Sequence, residues 1–73
     1  MKVLISDGEV KLMVDSWNAH HAVPMAVRVL LDDGSFRKTR TRSEAWMVGP
    51  RPVVGVEGIG GGYSLFRVAP DWA

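Results

Sequence analysis

The sequence contains no cysteine, which excludes disulfide staples, thiolate zinc sites and cysteine nucleophiles. It also has no long apolar run. The longest, Ala22 to Val27, is interrupted by Pro24 and closed by Arg28, far short of the roughly 20 residues that span a bilayer. Near the start, Val3-Leu4-Ile5 stops at Ser6-Asp7, too short for a signal-peptide core. A soluble, cytoplasmic protein is the expectation. An excess of either charge is missing as well: nine Lys and Arg stand against eight Asp and Glu, a formal net charge of +1. No low-complexity tract or internal repeat is evident.

What is present is ordinary globular material. Apolar residues make up 47% and charged residues 23%, a usage that excludes disorder by composition. Seventy-three residues leave room for one domain, so residues 1–73 are expected to form a single small unit. A chain of this size buries only about 60% of its unfolded surface, which sets a modest stability.

Hydrophobic alternation points to strands. In residues 1–14, Asp7-Gly8 suits a two-residue hairpin loop, because Gly and Asp tolerate positive φ. That register puts Ile5 opposite Val10 and Val3 opposite Leu12 on one face. A second hairpin runs from Met25 to Arg42. A two-residue loop at Asp33-Gly34 would set Lys38 and Arg40 beside Val27 and Val29. A three-residue loop, Asp32-Asp33-Gly34 with Gly34 left-handed, removes the conflict. Met25, Val27, Val29 and Leu31 then share a face with Arg37, Thr39 and Thr41. Arg28, Leu30, Phe36, Lys38, Arg40 and Arg42 share the other. Burial favours this bulged register.

Between the hairpins, Ser16 to Pro24 reads either as one helical turn capped by Ser16 or as a loop. Beyond them, Ala45 to Val48, Val53 to Val56 and Tyr63 to Val68 read as further strands, and Ala69-Pro70-Asp71-Trp72 as a turn. Five or six short strands in a chain this long imply a mostly β fold. The expected form is an antiparallel sheet curled into a small, partly open barrel of SH3-like or OB-like shape. Glycines at 55, 58, 60, 61 and 62 suit its tight bends.

The feature that carries chemistry is Ser35 to Ser43, with four basic residues and no acid. On a strand, Lys38, Arg40 and Arg42 project from one face at steps of about 6.7 Å. Arg28 falls opposite Lys38. Like charges facing across a ladder repel, so an unopposed row invites an anionic partner, with Leu30 and Phe36 as flanking packing or stacking surface. The competing reading is a solvated edge whose charges prevent aggregation. Residues 28–51 hold six basic and three acidic groups, whereas each flank carries a net −1. Charge is patterned, not absent.

Other constellations carry less. Gly58-Ile-Gly-Gly-Gly62 lacks the spacing, the Lys-Ser/Thr and the helix of a phosphate loop. His20 and His21 with Asp15 are too few for a metal site. Ser16, His20 and Asp15 resemble no nucleophile elbow, and no carboxylate pair presents itself outside a turn. Trp17, Trp46 and Trp72 read as lids of the core or, for Trp46, as an interface anchor beside Gly49-Pro50-Arg51-Pro52.

The expectation is therefore a binding module, not an enzyme, without cofactor or metal. Its contacts would be Arg28, Lys38, Arg40 and Arg42, with Arg51 and Trp46 at the margin. The partner would be nucleic acid or an acidic nucleoprotein surface. The alternative is a protein-directed inhibitor of the kind that phages and mobile elements use against host defence, acting by occlusion. A homodimer through exposed strand edges is a third possibility.

Overall fold

The computed structural model describes residues 7–71. They are mostly β: one helix, α1 (Asp7–His20), precedes β1 (Ala26–Leu30), β2 (Phe36–Val48), β3 (Arg51–Val56) and β4 (Tyr63–Ser64). A 3-10 turn, η1 (Leu65–Arg67), then leads into β5 (Val68–Pro70). The strands form one antiparallel sheet in the order β4-β3-β2-β1-β5, so η1 links its two edges. The sheet is not closed. Among the described residues no helix is long and apolar enough to cross a membrane.

The β1–β2 hairpin adopts the bulged register. Arg28 pairs with Lys38, Val29 with Arg37 and Leu30 with Phe36. The Leu31 N–H donates to Ser35 O at 2.8 Å, which leaves Asp32, Asp33 and Gly34 as the loop. Gly34 has φ +87°, a conformation costly for any residue with a Cβ. Asp33 fixes the turn by accepting from the Ser35 hydroxyl at 2.6 Å and the Ser35 N–H at 2.9 Å. Those donors hold its carboxyl below the usual range, the hydroxyl having the larger effect. Burying Val27 and Val29 instead of Lys38 and Arg40 decides the register.

The first expected hairpin does not form. The chain is helical from Asp7 to His20, and residues 1–6, its other arm, lie outside the described residues. Val10 and Val14, both buried, are four apart, a spacing that either period places on one face. Trp17 and His21 continue that face at helical steps. Leu12, which alternation sets beside Val10, is 67% exposed. Lys11 and Asp15, one turn apart, form an ion pair at 3.5 Å, a pairing that slightly favours the helix. Ser16 lies inside α1 and caps nothing at its start.

β2 is longer than expected, because Ala45–Val48 continues it instead of forming a separate strand. It bends midway. Between Thr41 and Ala45 it advances four residues, while β3 advances two, from Val56 to Val54. Three contacts absorb the excess. Ser43 Oγ accepts the Gly55 N–H at 3.1 Å, and a Cβ on Gly55 would stand 2.5 Å from that oxygen. The Asn18 amide, reaching from α1, donates to Ala45 O at 3.0 Å and accepts from Ala45 N–H at 2.8 Å. It takes the place of a neighbouring strand where β1 has ended. Buried Thr41 bonds Met25 twice, through its N–H at 2.9 Å and through Oγ1, which accepts the Met25 N–H at 2.9 Å.

The core between α1 and the bent sheet is small and valine-rich. Val27, Val29, Val54 and Val56 are fully buried, joined by Val14, Ala45, Leu65 and Val68. Each valine contributes roughly 1.5–3 kcal/mol by leaving water. The expected strand Tyr63–Val68 is broken. Leu65 and Val68 are buried and three apart, the repeat of a 3-10 turn, while Phe66 and Arg67 face out. The expected turn at Ala69–Trp72 is replaced over its described part, because Pro70 belongs to β5 and pairs with Val27, while Trp72 lies outside the described residues. Proline is tolerated there because β5 is an edge strand.

Replacing Asn18 with Ala would leave the Ala45 N–H and C=O without this partner in a half-buried site. A loss of about 1–3 kcal/mol is expected in the urea midpoint at unchanged slope. A change below about 0.5 kcal/mol would show that the bend holds without α1.

Candidate functional site

Strand parity places Arg28, Phe36, Lys38, Arg40 and Arg42 on the outer face of the β1–β2 hairpin, as the sequence predicts. The core valines of the same strands turn inward. The side chains of Arg28, Lys38 and Arg40 are 46%, 79% and 62% exposed. The Arg28 guanidinium carbon lies 5.6 Å from the centre of the exposed Phe36 ring, within cation–π range.

The row is not unopposed. Asp71, one residue past β5, donates its N–H to Ala26 O at 3.0 Å. This backbone bond holds it beside Ala26, next to Arg28 on β1. The Asp71 carboxylate reaches 3.6 Å from Arg28 Nε and 3.9 Å from Lys38 Nζ, with its side chain only 15% exposed. Glu57 takes a similar place at the other end, 3.2 Å from Arg40 Nη2. Its backbone is fixed to β2, since its N–H donates to Arg40 O and its C=O accepts from Thr39 Oγ1. Repulsion between Arg28 and Lys38 is thus relieved from within the chain. Pairs this exposed stabilise by about 0–1 kcal/mol, so they tune charge more than they hold the fold.

Arg42 has a different environment. Its Nε donates to Val56 O at 3.2 Å, and its Nη2 donates to Gly61 O at 2.8 Å and Ile59 O at 3.5 Å. The guanidinium ties down the glycine-rich 57–62 loop, in which Gly58 and Gly61 have positive φ. That loop then passes Trp46: a Cβ on Gly62 would stand 2.6 Å from Val53 Cγ2 and 3.0 Å from Trp46 Cζ2. Arg51 pairs with Val48 at the far end of β2. The structure therefore brings Arg28, Lys38 and Arg40 together, turns Arg42 to the loop, and sets Trp46 and Arg51 apart at the β2–β3 turn. Asp71 and Glu57 escape sequence reasoning. Arg37, on the inward parity, is exposed at the hairpin end with its guanidinium against Gly58.

An open groove of about 1040 Å³ lies elsewhere, between α1 and Leu65 and Val68. It contains Ser16 and His20, whose Nδ1 lies 2.8 Å from the Ser16 carbonyl oxygen and 3.5 Å from the Ser16 hydroxyl, while Asp15 pairs with Lys11 instead of with His20. The three do not form a proton relay. Among the described residues no three His, Asp or Glu side chains converge as metal ligands.

Arg42→Ala is expected to speed amide exchange across residues 57–62 while leaving the β1–β2 rungs protected, with a stability loss of about 1 kcal/mol. Unchanged exchange in that loop would contradict the tethering role. No family model, curated protein or solved structure matches the chain.

Proposed function

We propose that this chain is a non-enzymatic binding module that contacts nucleic acid, free or within a nucleoprotein complex, through Arg28, Lys38 and Arg40. The observation that supports the reading is their common projection from two paired strands, with the core valines withdrawn to the other face. Lys38 and Arg40 stand two residues apart, about 6.7 Å, and Arg28 widens the row to a second strand. Such a surface neutralises phosphates without reading bases. Phe36 offers an apolar flank on which a base can stack. Arg42 adds charge beside the row, and Arg51 with Trp46 form its distant margin. The sheet order, with a 3-10 turn joining the edge strands, supports a small SH3-like or OB-like barrel as the scaffold.

A second reading, occlusion of a protein partner in the manner of a phage or mobile-element inhibitor, is favoured by a different observation. Phe36, Trp46, Val48 and Phe66 are exposed large apolar side chains, and Phe36 stands beside Arg28. Aromatic and Arg anchors within mixed charge are usual in protein interfaces.

Fluorescence anisotropy with a labelled 20-nucleotide single strand and with its duplex separates the two. If three cations meet phosphate, affinity falls roughly 20- to 40-fold between 50 and 200 mM salt. Changing Arg28, Lys38 and Arg40 together to Ala should abolish that dependence. Binding indifferent to salt, or absent from both nucleic acids, would leave the occlusion reading.

A further inference from the structure

The carboxylates of Asp71 and Glu57 occupy the positions from which an external anion would meet the cations. Asp71 lies within 4 Å of both Arg28 and Lys38, and Glu57 lies 3.2 Å from Arg40. Each acid is held by backbone, not by chance contact of long side chains. Asp71 is fixed by its N–H on Ala26 O, and Glu57 by bonds at both its N–H and its C=O. Neither contact between Asp71 and its cations is a short hydrogen bond. At 3.6 and 3.9 Å they are ion pairs that a phosphate oxygen at 2.7–2.9 Å outcompetes.

We infer that Asp71 and Glu57 are built-in competitors of the anionic partner: an autoinhibitory pair that lowers affinity and must be displaced on binding. This inference rests on the proposed binding of polyanions and adds its regulation. Two consequences separate it from a simple effect of net charge. Neutralising Asp71 frees two specific cations, whereas neutralising an acid on α1 changes the same net charge and frees none of the row. A freed cation also releases one more counterion when it meets phosphate, so the salt dependence must steepen along with the affinity. The backbone bond of residue 71 to Ala26 does not need the carboxylate, so the fold survives its loss.

The experiment is anisotropy with the same 20-nucleotide single strand at several salt concentrations, comparing the parent chain with Asp71→Asn, Glu57→Gln, the double variant and Asp15→Asn. Asp71→Asn is expected to bind about threefold to tenfold tighter at 50 mM salt, the range that loss of competing surface ion pairs allows. Its plot of log affinity against log salt should be steeper by about 0.7 for each freed cation, about 1.4 in all. Glu57→Gln should act in the same direction through Arg40, and the double variant should approach the product of the two, because the acids hold different cations. Asp15→Asn should leave both affinity and slope near the parent's. Thermal unfolding verifies that each variant is folded. Tight binding by the acid-to-amide variants where the parent binds weakly or not at all would support the inference. A parent that binds while Asp71→Asn gains nothing, or gains no more than Asp15→Asn, would overturn the inference and leave the polyanion reading standing. No binding by any of the folded variants would overturn both.

Discussion

The bend in β2 is the constraint from which the rest of the molecule follows. A strand of 13 residues left straight would present one long edge and a flat face larger than the small valine-rich core of this chain covers. Two additional residues between Thr41 and Ala45 turn it, so that its first half pairs with β1 and its second with β3. An inserted stretch of backbone brings polar groups with no ladder partner. Here Asn18, Ser43 and the bare backbone of Gly55 satisfy or accommodate them. The bend therefore recruits the helix: α1 packs against β2 and β3, and its amide replaces a missing strand.

The same bend organises the outer surface. On one side of it Arg28, Lys38 and Arg40 stand together. On the other, Trp46 meets the end of the glycine-rich loop that Arg42 holds in place. The apparent neutrality of the chain is resolved into local pairs, with Asp71 and Glu57 against the cationic row and Asp32 against Arg67 at 2.6 Å. The Asp32 hydrogen bond holds the Arg67 guanidinium above its ordinary range. Tyr63 adds a hydroxyl bond to Leu30 O. Together they fasten the end of β1 to β4 and the hairpin loop to η1, and keep the cationic strands in a fixed relation to the edge that carries Asp71.

The β1–β2 hairpin was legible in the sequence because its two possible registers differ in burial by whole cations beside Val27 and Val29. The helix was not, since Val10 and Val14 satisfy both periods and Asp7-Gly8 is a plausible turn. Helical spacing shows only when Trp17 and His21 are included. The continuity of β2 was hidden for another reason. Its bend is held by Asn18, far away in sequence, and no local pattern announces that contact. Leu65 and Val68 are likewise ambiguous, because alternation is judged from a stretch too short to reveal a step of three. For the site, parity alone placed Arg28, Lys38, Arg40 and Arg42 on one face. Their counterions were not legible, since Asp71 and Glu57 reach them only through pairing of β1 with β5 and of β2 with β3. The tethering role of Arg42 depends on carbonyls of a loop whose path only the fold defines.

The central claim is that the outer face of the β1–β2 hairpin is where an anionic partner binds. Titrating a short single-stranded oligonucleotide into isotopically labelled protein, followed by amide and arginine side-chain resonances, tests it most directly. Shifts centred on Arg28, Phe36, Lys38, Arg40, Asp71 and Glu57, with Arg42 and residues 58–62 weakly affected, are the predicted result. Shifts centred on the α1 groove at Leu12, Trp17 and Leu65, or no shifts at all at low salt, would contradict it.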